Sequence, residues 1–284
     1  MKYVIPFIFA SSIPVGVAVA QTDTESDYEK GQYIFDLSGC ASCHTKDQPL
    51  AGGLAMDSDF GTFYTPNITP SAANGIGGWS QYEFNQALRN GISPDGEHYY
   101  PAFPYTSYQA MTNEDLRVLK VYLDSQPAIE QANLKHDVSF PFDQRELLGV
   151  WKWLFLDPLQ GERNAIKTAS TPQLDRGAYI ANALGHCSEC HTPRHLLGGL
   201  RNVGMIGNAN GPEGESVPAL TGPKAEQFNS WSLDDLEIFL EMGMSPSGDF
   251  AGGSMGHVID NSTSKLTDAD RSALANYLLT LSEQ

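Results

Sequence analysis

The tightest constraint in this sequence is a five-residue pattern that occurs twice, as Cys40-Ala41-Ser42-Cys43-His44 and as Cys187-Ser188-Glu189-Cys190-His191. Two thiols three positions apart share one face of a helical turn, and the His behind the second thiol lies beneath whatever the pair grips. Cys-x-x-Cys-His is the attachment pattern of a c-type haem: the thiols form thioethers to the two vinyl groups of one porphyrin, and the imidazole becomes the proximal iron ligand. The chain has four cysteines, and the two strings use all of them. Structural zinc sites space a Cys pair and a His-x(3–5)-His pair about a dozen residues apart and do not set His against Cys. A thioredoxin-like motif needs one pair in a βαβ setting. Disulfides suit an exported chain but leave both histidines unexplained. The reading is two covalently bound haem c groups. Cys40, Cys43, Cys187 and Cys190 hold the porphyrins, and His44 and His191 hold the irons.

Residues 1–20 read as a secretory signal, with Lys2 as a short positive start, an apolar or small run from Tyr3 to Val19, and Ala18-Val19-Ala20 as the cleavage sequence. Pro6, Ser11, Ser12 and Pro14 interrupt the run and a polar acidic stretch follows, which favours cleavage over anchoring. The expectation is a periplasmic protein. No later run approaches the ~20 apolar residues that span a bilayer, so membrane association is expected only through a partner. The formal net charge is −17, and loss of Lys2 with the signal leaves 16 basic against 34 acidic residues, or −18. Such a balance excludes nucleic acid as a partner, because binding it needs basic patches. It suits solubility, or steering towards a positively charged redox protein.

The strings belong to an internal repeat. Gly31-Gln32-Tyr33-Ile34 begins nine residues before Cys40, and Gly177-Ala178-Tyr179-Ile180 begins ten before Cys187. Trp79-Ser80 and Trp231-Ser232 each lead, twelve residues on, to Gly91-Ile92-Ser93-Pro94 and Gly243-Met244-Ser245-Pro246. Four hydroxyl–acid pairs, Ser80/Glu83, Thr112/Asp115, Ser232/Asp235 and Thr267/Asp270, predict capping boxes at helix starts. Apolar residues follow at helical spacing, and Gly91 and Gly243 are expected to stop their helices. The chain therefore divides into residues 1–20 (signal), 21–126 (first unit), 127–172 (connector) and 173–284 (second unit). The aromatics Tyr33, Phe35, Tyr122, Tyr179 and Tyr277 are expected to pack the first and last helices of each unit together beside the haem. In the connector, Arg145 to Leu156 predicts an apolar helix, ended by Pro158 and the Gly161–Thr171 stretch. It is expected to pack across the boundary between units, with a partner-docking surface as the alternative.

An electron-transfer haem takes a second axial ligand, commonly a Met thioether. In the second unit Met255, within Gly252-Gly253-Ser254-Met255-Gly256, is the candidate; Met242 and Met244 are alternatives that suit gap filling at a helix end. In the first unit Phe103 aligns with Met255 and cannot ligate iron. Met111 is the candidate there, with His98 as its rival. Asn67-Ile68-Thr69 and Asn261-Ser262-Thr263 match the glycosylation triplet, which chance explains.

Several longer strings resemble the cytochrome c subunits of membrane-bound alcohol and gluconate dehydrogenases. They are Tyr64-Thr65-Pro66-Asn67-Ile68-Thr69-Pro70, Gly75-Ile76-Gly77-Gly78-Trp79-Ser80, Tyr100-Pro101-Ala102-Phe103-Pro104-Tyr105, Phe140-Pro141-Phe142 with Trp151, and Gly185-His186-Cys187 with Cys190-His191-Thr192-Pro193-Arg194. Those subunits usually carry three haems and pass electrons from a periplasmic dehydrogenase towards quinone or an oxidase; this sequence has two attachment strings. The resemblance implies an all-α fold of two tandem class I cytochrome c-type domains joined by a helical connector. It implies a periplasmic electron carrier between a dehydrogenase or other donor and an oxidase or cytochrome acceptor, rather than an enzyme. The alternative is a dihaem enzyme, such as a peroxidase or thiosulfate dehydrogenase, using one iron with an open or unusual distal site.

Overall fold

The computed structural model describes Met1 and residues 22–156 and 171–282, apart from 202, 203, 223, 226, 227 and 229. The expected signal beyond Met1, and the connector from 157 to 170 with Pro158, lie outside the described residues. The described elements are α1 (Thr22–Leu37), α2 (Cys40–His44), β1 (Ala55–Ser58), β2 (Gly61–Tyr64), α3 (Gln81–Asn90), α4 (Tyr105–Tyr108), α5 (Asn113–Asp124), β3 (Asp137–Val138), α6 (Leu147–Phe155), α7 (Pro172–Tyr179) with a π turn (Ile180–Leu184), α8 (Ser188–His191), α9 (Leu233–Met242), α10 (Gly253–Asn261) and α11 (Asp268–Ser282).

Each repeat is built on a crossing of its first and last long helices. The repeated glycine makes the crossing possible. A Cβ on Gly31 of α1 would sit 2.1 Å from the Val118 carbonyl oxygen of α5, and one on Gly177 of α7 would sit 2.1 Å from the Ala273 carbonyl oxygen of α11. Helix backbones thus touch, and the apolar faces around them close. Ile34, Leu37, Leu116 and Leu119 of the first crossing and Ala178, Leu184, Leu274 and Leu278 of the second belong to one continuous core.

The four helix starts divide into two kinds. Ser80 and Ser232 make closed capping boxes with Glu83 and Asp235, and Gly91 and Gly243 end α3 and α9 at φ 58° and 76°. At Thr112 and Thr267 the hydroxyl caps as expected, accepting from the Asp115 and Asp270 N–H groups, but the box does not close on itself. A tyrosine from the other repeat stands in it. Tyr179 Oη accepts the Thr112 N–H at 3.0 Å and donates to the Asp115 carboxylate; Tyr33 Oη accepts the Thr267 N–H at 3.2 Å and donates to Asp270 at 2.7 Å. Tyr33 and Tyr179 therefore latch the repeats together reciprocally, a role beyond the expected packing within each unit. Phe35 and Tyr122 do pack within the first unit, with ring centroids 5.0 Å apart. Asp270 is also gripped by Arg176, at 2.9 and 2.6 Å. Burial works to raise the Asp270 carboxyl, but the Arg176 guanidinium and the Tyr33 hydroxyl outweigh it and hold the group below the ordinary aspartate value.

The nine-versus-ten spacing has a visible outcome. The Ile34 carbonyl accepts from Ser38, four residues on, at 3.0 Å, whereas the equivalent Ile180 carbonyl accepts from Gly185, five residues on, at 2.7 Å. The extra residue of the second repeat is absorbed as the π turn.

The fold is helical, with one correction to the all-α expectation. β1, β2 and β3 form a small antiparallel sheet in the order β1-β2-β3, with Ala55 opposite Tyr64 and Gly61 opposite Val138. The strands are too short to show a period-two pattern. The sheet is held by its own satellite core of Phe63, Tyr100 and Leu148. Residues 129–138 of the expected connector are woven into the first repeat through β3 and through the Asn67 amide, which donates to the Ile129 and Gln131 carbonyls at 2.7 and 3.0 Å.

Helix α6 bridges the repeats, as its sequence suggests. Lys152 Nζ donates to the Asn90 and Gly91 carbonyls at the end of α3, at 2.6 Å each, and lies 4.7 Å from the Tyr105 ring centroid. On the other side the Trp151 indole donates to the Leu197 carbonyl at 2.7 Å, and the Phe155 ring rests on Gly199. Leu147, Val150, Trp153 and Leu154 face outward.

Gly31→Ala and Gly177→Ala, which would gain up to about 1 kcal/mol in an ordinary helix interior, are expected to destabilise the haem-loaded protein by about 2–3 kcal/mol through overpacking. Urea unfolding monitored by far-UV circular dichroism checks this. A second expectation concerns pH. The lowered Asp270 pKa contributes stability that is full above the unfolded value near 3.8 and is lost as pH falls through the lower folded value. The stability gap between wild type and Asp270→Asn should therefore be flat above about pH 5 and shrink in acid.

Candidate haem sites

Both Cys-x-x-Cys-His strings sit on a short helix entered by a sharp turn. Gly39 precedes Cys40 at φ 62°, and His186 precedes Cys187 at φ 41°, the left-handed region in both repeats. Behind each helix the chain returns in the same way. The His44 carbonyl accepts from Gly52 at 2.7 Å, and the His191 carbonyl from Gly207 at 2.9 Å. The Leu50 carbonyl accepts from Ile68 at 2.9 Å, and the Met205 carbonyl from Leu220 at 2.8 Å. Between these rungs lie Pro66 and Pro218. Each turns its carbonyl onto an imidazole: His44 Nδ1 is 2.8 Å from Pro66 O, and His191 Nδ1 is 2.8 Å from Pro218 O.

A carbonyl can only accept, so Nδ1 carries the proton and donates. Nε2 is left with its lone pair. Burial pulls both histidines below the ordinary imidazole value, against the smaller opposing pull of the proline carbonyls, which favours the neutral ring. A neutral imidazole oriented by an Nδ1–H bond to a backbone carbonyl is the form that ligates metal. The Pro66 carbonyl is itself anchored, because the buried Asn67 uses its amide on the connector and its Oδ1 on the Thr69 N–H and hydroxyl, at 2.9 and 2.7 Å. That internal role, rather than glycosylation, accounts for the Asn67-Ile68-Thr69 triplet.

The four thiols are not paired with one another. Burial pushes Cys40 and Cys187 up to about 12, so both are neutral thiols. The Cys190 thiol is raised by burial first, with Glu189 adding to it and Arg194 opposing. Among the described residues no three His, Cys, Asp or Glu side chains gather as a metal-binding cluster. Ile68, Trp79, Tyr99 and Phe103 of the first repeat, and Ala41 within its string, are partly buried against the core. Thiol pair, oriented imidazole and apolar surroundings fit a covalently attached haem.

The distal candidates differ in setting. Met111 is 2% exposed, just ahead of α5. Its N–H donates to the Tyr108 carbonyl at 3.0 Å and its own carbonyl accepts from Arg89. His98 instead lies against α6, where a Cβ on Gly149 would be 3.3 Å from its Nε2. Met255 is half-buried in the first turn of α10, whose start is closed by the Glu215 carboxylate near Ser254. Met244 is half-buried and Met242 exposed.

A family model for cytochrome c matches the chain twice, over residues 28–127 and 174–282. The chain belongs to the cytochrome c family. It is 42% identical to a diheme cytochrome c-type protein of Cereibacter sphaeroides over 88% of this chain and 84% of that protein. It is 37% identical to the cytochrome c subunit of a quinone alcohol dehydrogenase of Gluconacetobacter polyoxogenes, over 96% of this chain and 60% of the relative. It is 35% identical to the cytochrome c subunit of a gluconate 2-dehydrogenase of Pantoea cypripedii, over 89% of this chain and 59% of the relative. As a cytochrome c, the protein carries covalently bound haem and is an electron-transfer protein.

Sequence reasoning missed the imidazole partners. Pro66 was visible inside a longer string, but Pro218, 27 residues beyond His191, has different neighbours, Val217 and Ala219. The repeat pattern could have paired them, since each proline lies two residues before the aliphatic residue, Ile68 or Leu220, that bonds back to the core turn. Asn67→Ala would strip hydrogen bonds from buried backbone groups and is expected to cost about 2–3 kcal/mol. It should also shift the reduction potential of one haem, by loosening the Pro66 carbonyl. Denaturant unfolding and potentiometry on the same preparation check both.

Proposed function

We propose that this chain is an exported dihaem cytochrome c that passes electrons in the periplasm between a dehydrogenase, or another donor, and a respiratory acceptor. The observation that carries this reading is the duplicated imidazole–proline pair, at 2.8 Å in each repeat, behind an identical thiol spacing. Residues 21–126 and 173–284 are the two class I cytochrome c-type domains, residues 127–172 the connector, and residues 1–20 a cleaved signal. Cys40 and Cys43 hold one haem c, and Cys187 and Cys190 the other. His44 and His191 are the proximal ligands, and Met111 and Met255 the distal ones.

When bound, haem c supplies a one-electron iron couple whose potential the protein tunes. The chain's own residues do that tuning. The Pro66 and Pro218 carbonyls fix the tautomer and plane of each imidazole and raise its basicity. The four thiols stand half-buried at the edge of the shared core. The buried setting of Met111 and the half-buried setting of Met255 make the two sites unequal. Relatives named as dehydrogenase subunits support a dehydrogenase as the donor. The charge of −17 supports a positively charged face on the partner.

A pyridine haemochrome assay on exported protein is expected to count two haems per chain, falling to one in Cys40→Ala/Cys43→Ala and in Cys187→Ala/Cys190→Ala. Potentiometry should resolve two one-electron waves, with Met111→Ala and Met255→Ala each moving a different one. One haem in the wild type, or a single two-electron wave, overturns the reading.

A further inference from the structure

Glu189 occupies a variable position of the second attachment string, where neither thioether nor iron chemistry requires a carboxylate. Its side chain is nevertheless 9% exposed and fully engaged. Oε1 accepts from the Thr106 hydroxyl and from the Ser107 hydroxyl, the latter at 3.0 Å. Oε2 accepts from Arg194 at 2.6 Å, and Arg194 is steadied in turn by the Gly198 carbonyl at 2.8 Å. Thr106 and Ser107 belong to α4, in the first repeat. The contact therefore crosses from the second Cys-x-x-Cys-His string to the segment that precedes Met111 in the other repeat.

The segment that Glu189 grips leads directly to Met111. The Ser107 carbonyl accepts from Ala110 at 3.1 Å and the Tyr108 carbonyl from Met111 at 3.0 Å. The Tyr108 hydroxyl donates to the Ser38 carbonyl at 2.8 Å, two residues before Cys40. Arg89 closes the far side by donating to the Met111 carbonyl. Held at these points, the turn gives Met111 one backbone position. The arrangement has no mirror image: Ser42 stands where Glu189 would be in the first string and carries no carboxylate.

We propose that Glu189 is a positioning residue for the first repeat's haem site, clamping Thr106 and Ser107 from inside the second attachment string and so fixing the turn that presents Met111. This rests on Met111 being the distal ligand of that site. The clamp exists in one copy, reaching from the second string to the first repeat.

The test uses the haem-loaded full chain. Thr106→Val/Ser107→Ala removes both donors and leaves Glu189, its charge and the attachment string intact. In this variant one reduction potential should move, the same one that moves in Met111→Ala, while the other stays at its wild-type value. The reduced variant should bind carbon monoxide at one haem at a concentration where the wild type binds at least tenfold less. Thr106→Ser, which keeps the hydroxyl, should behave as wild type. If the double variant does not accumulate with two haems, Thr106→Val and Ser107→Ala are read singly in the same way. Wild-type potentials and carbon monoxide binding in the donor-less variants, with Met111→Ala still opening its iron, would overturn the clamp. Equal movement of both potentials would also overturn it, as general loosening. If Met111→Ala itself leaves both haem spectra unchanged, the ligand assignment fails instead.

Discussion

Contact between helix backbones at Gly31 and Gly177 is the constraint on which the rest of the structure depends. It brings α1 onto α5 and α7 onto α11 with no side chain between the backbones at the glycine itself, and each crossing leads on to its Cys-x-x-Cys-His helix. Any side chain at either glycine would meet a carbonyl oxygen that is already committed to helix hydrogen bonding. The neighbouring large apolar residues then have only one way to close, and they close into a core shared by both repeats. The position of each imidazole is inherited from this crossing through two short turns and one proline carbonyl.

The second organising element is reciprocity. Tyr33 and Tyr179 reach across to the helix starts of the opposite repeat and take the place that a self-contained capping box would fill. A box needs only local chain, whereas this arrangement needs the partner repeat, so the ends of α5 and α11 are satisfied only when the two halves are assembled. Helix α6 adds a third tie, with a buried ammonium on the first repeat and two aromatic rings on the second.

Much of this was legible in the sequence. The short helices of the Cys-x-x-Cys-His strings, the repeat, the glycine stops and the bridging character of α6 rest on local patterns, in which residue type and spacing carry the physics. The illegible part depends on non-local pairing. Four hydroxyl–acid pairs look alike in sequence, yet Ser80 and Ser232 close on themselves while Thr112 and Thr267 do not, because only the latter face a tyrosine of the other repeat. The three strands are too short to announce themselves and form because Phe63 has Tyr100 and Leu148 to pack against. Pro218 looks like any other proline until the chain behind His191 is folded back onto it. Glu189 reads as a filler residue between two cysteines until α4 is placed beside it.

The π turn at Ile180–Leu184 has a consequence of its own. The inserted residue lies after Tyr179 and before Cys187, downstream of the latch and upstream of the attachment string. The extra residue is taken up inside the turn, and the Tyr179 latch before it and the Glu189 contact after it both hold. Two stretches of unequal length, ahead of Cys40 and ahead of Cys187, thus meet in one seam.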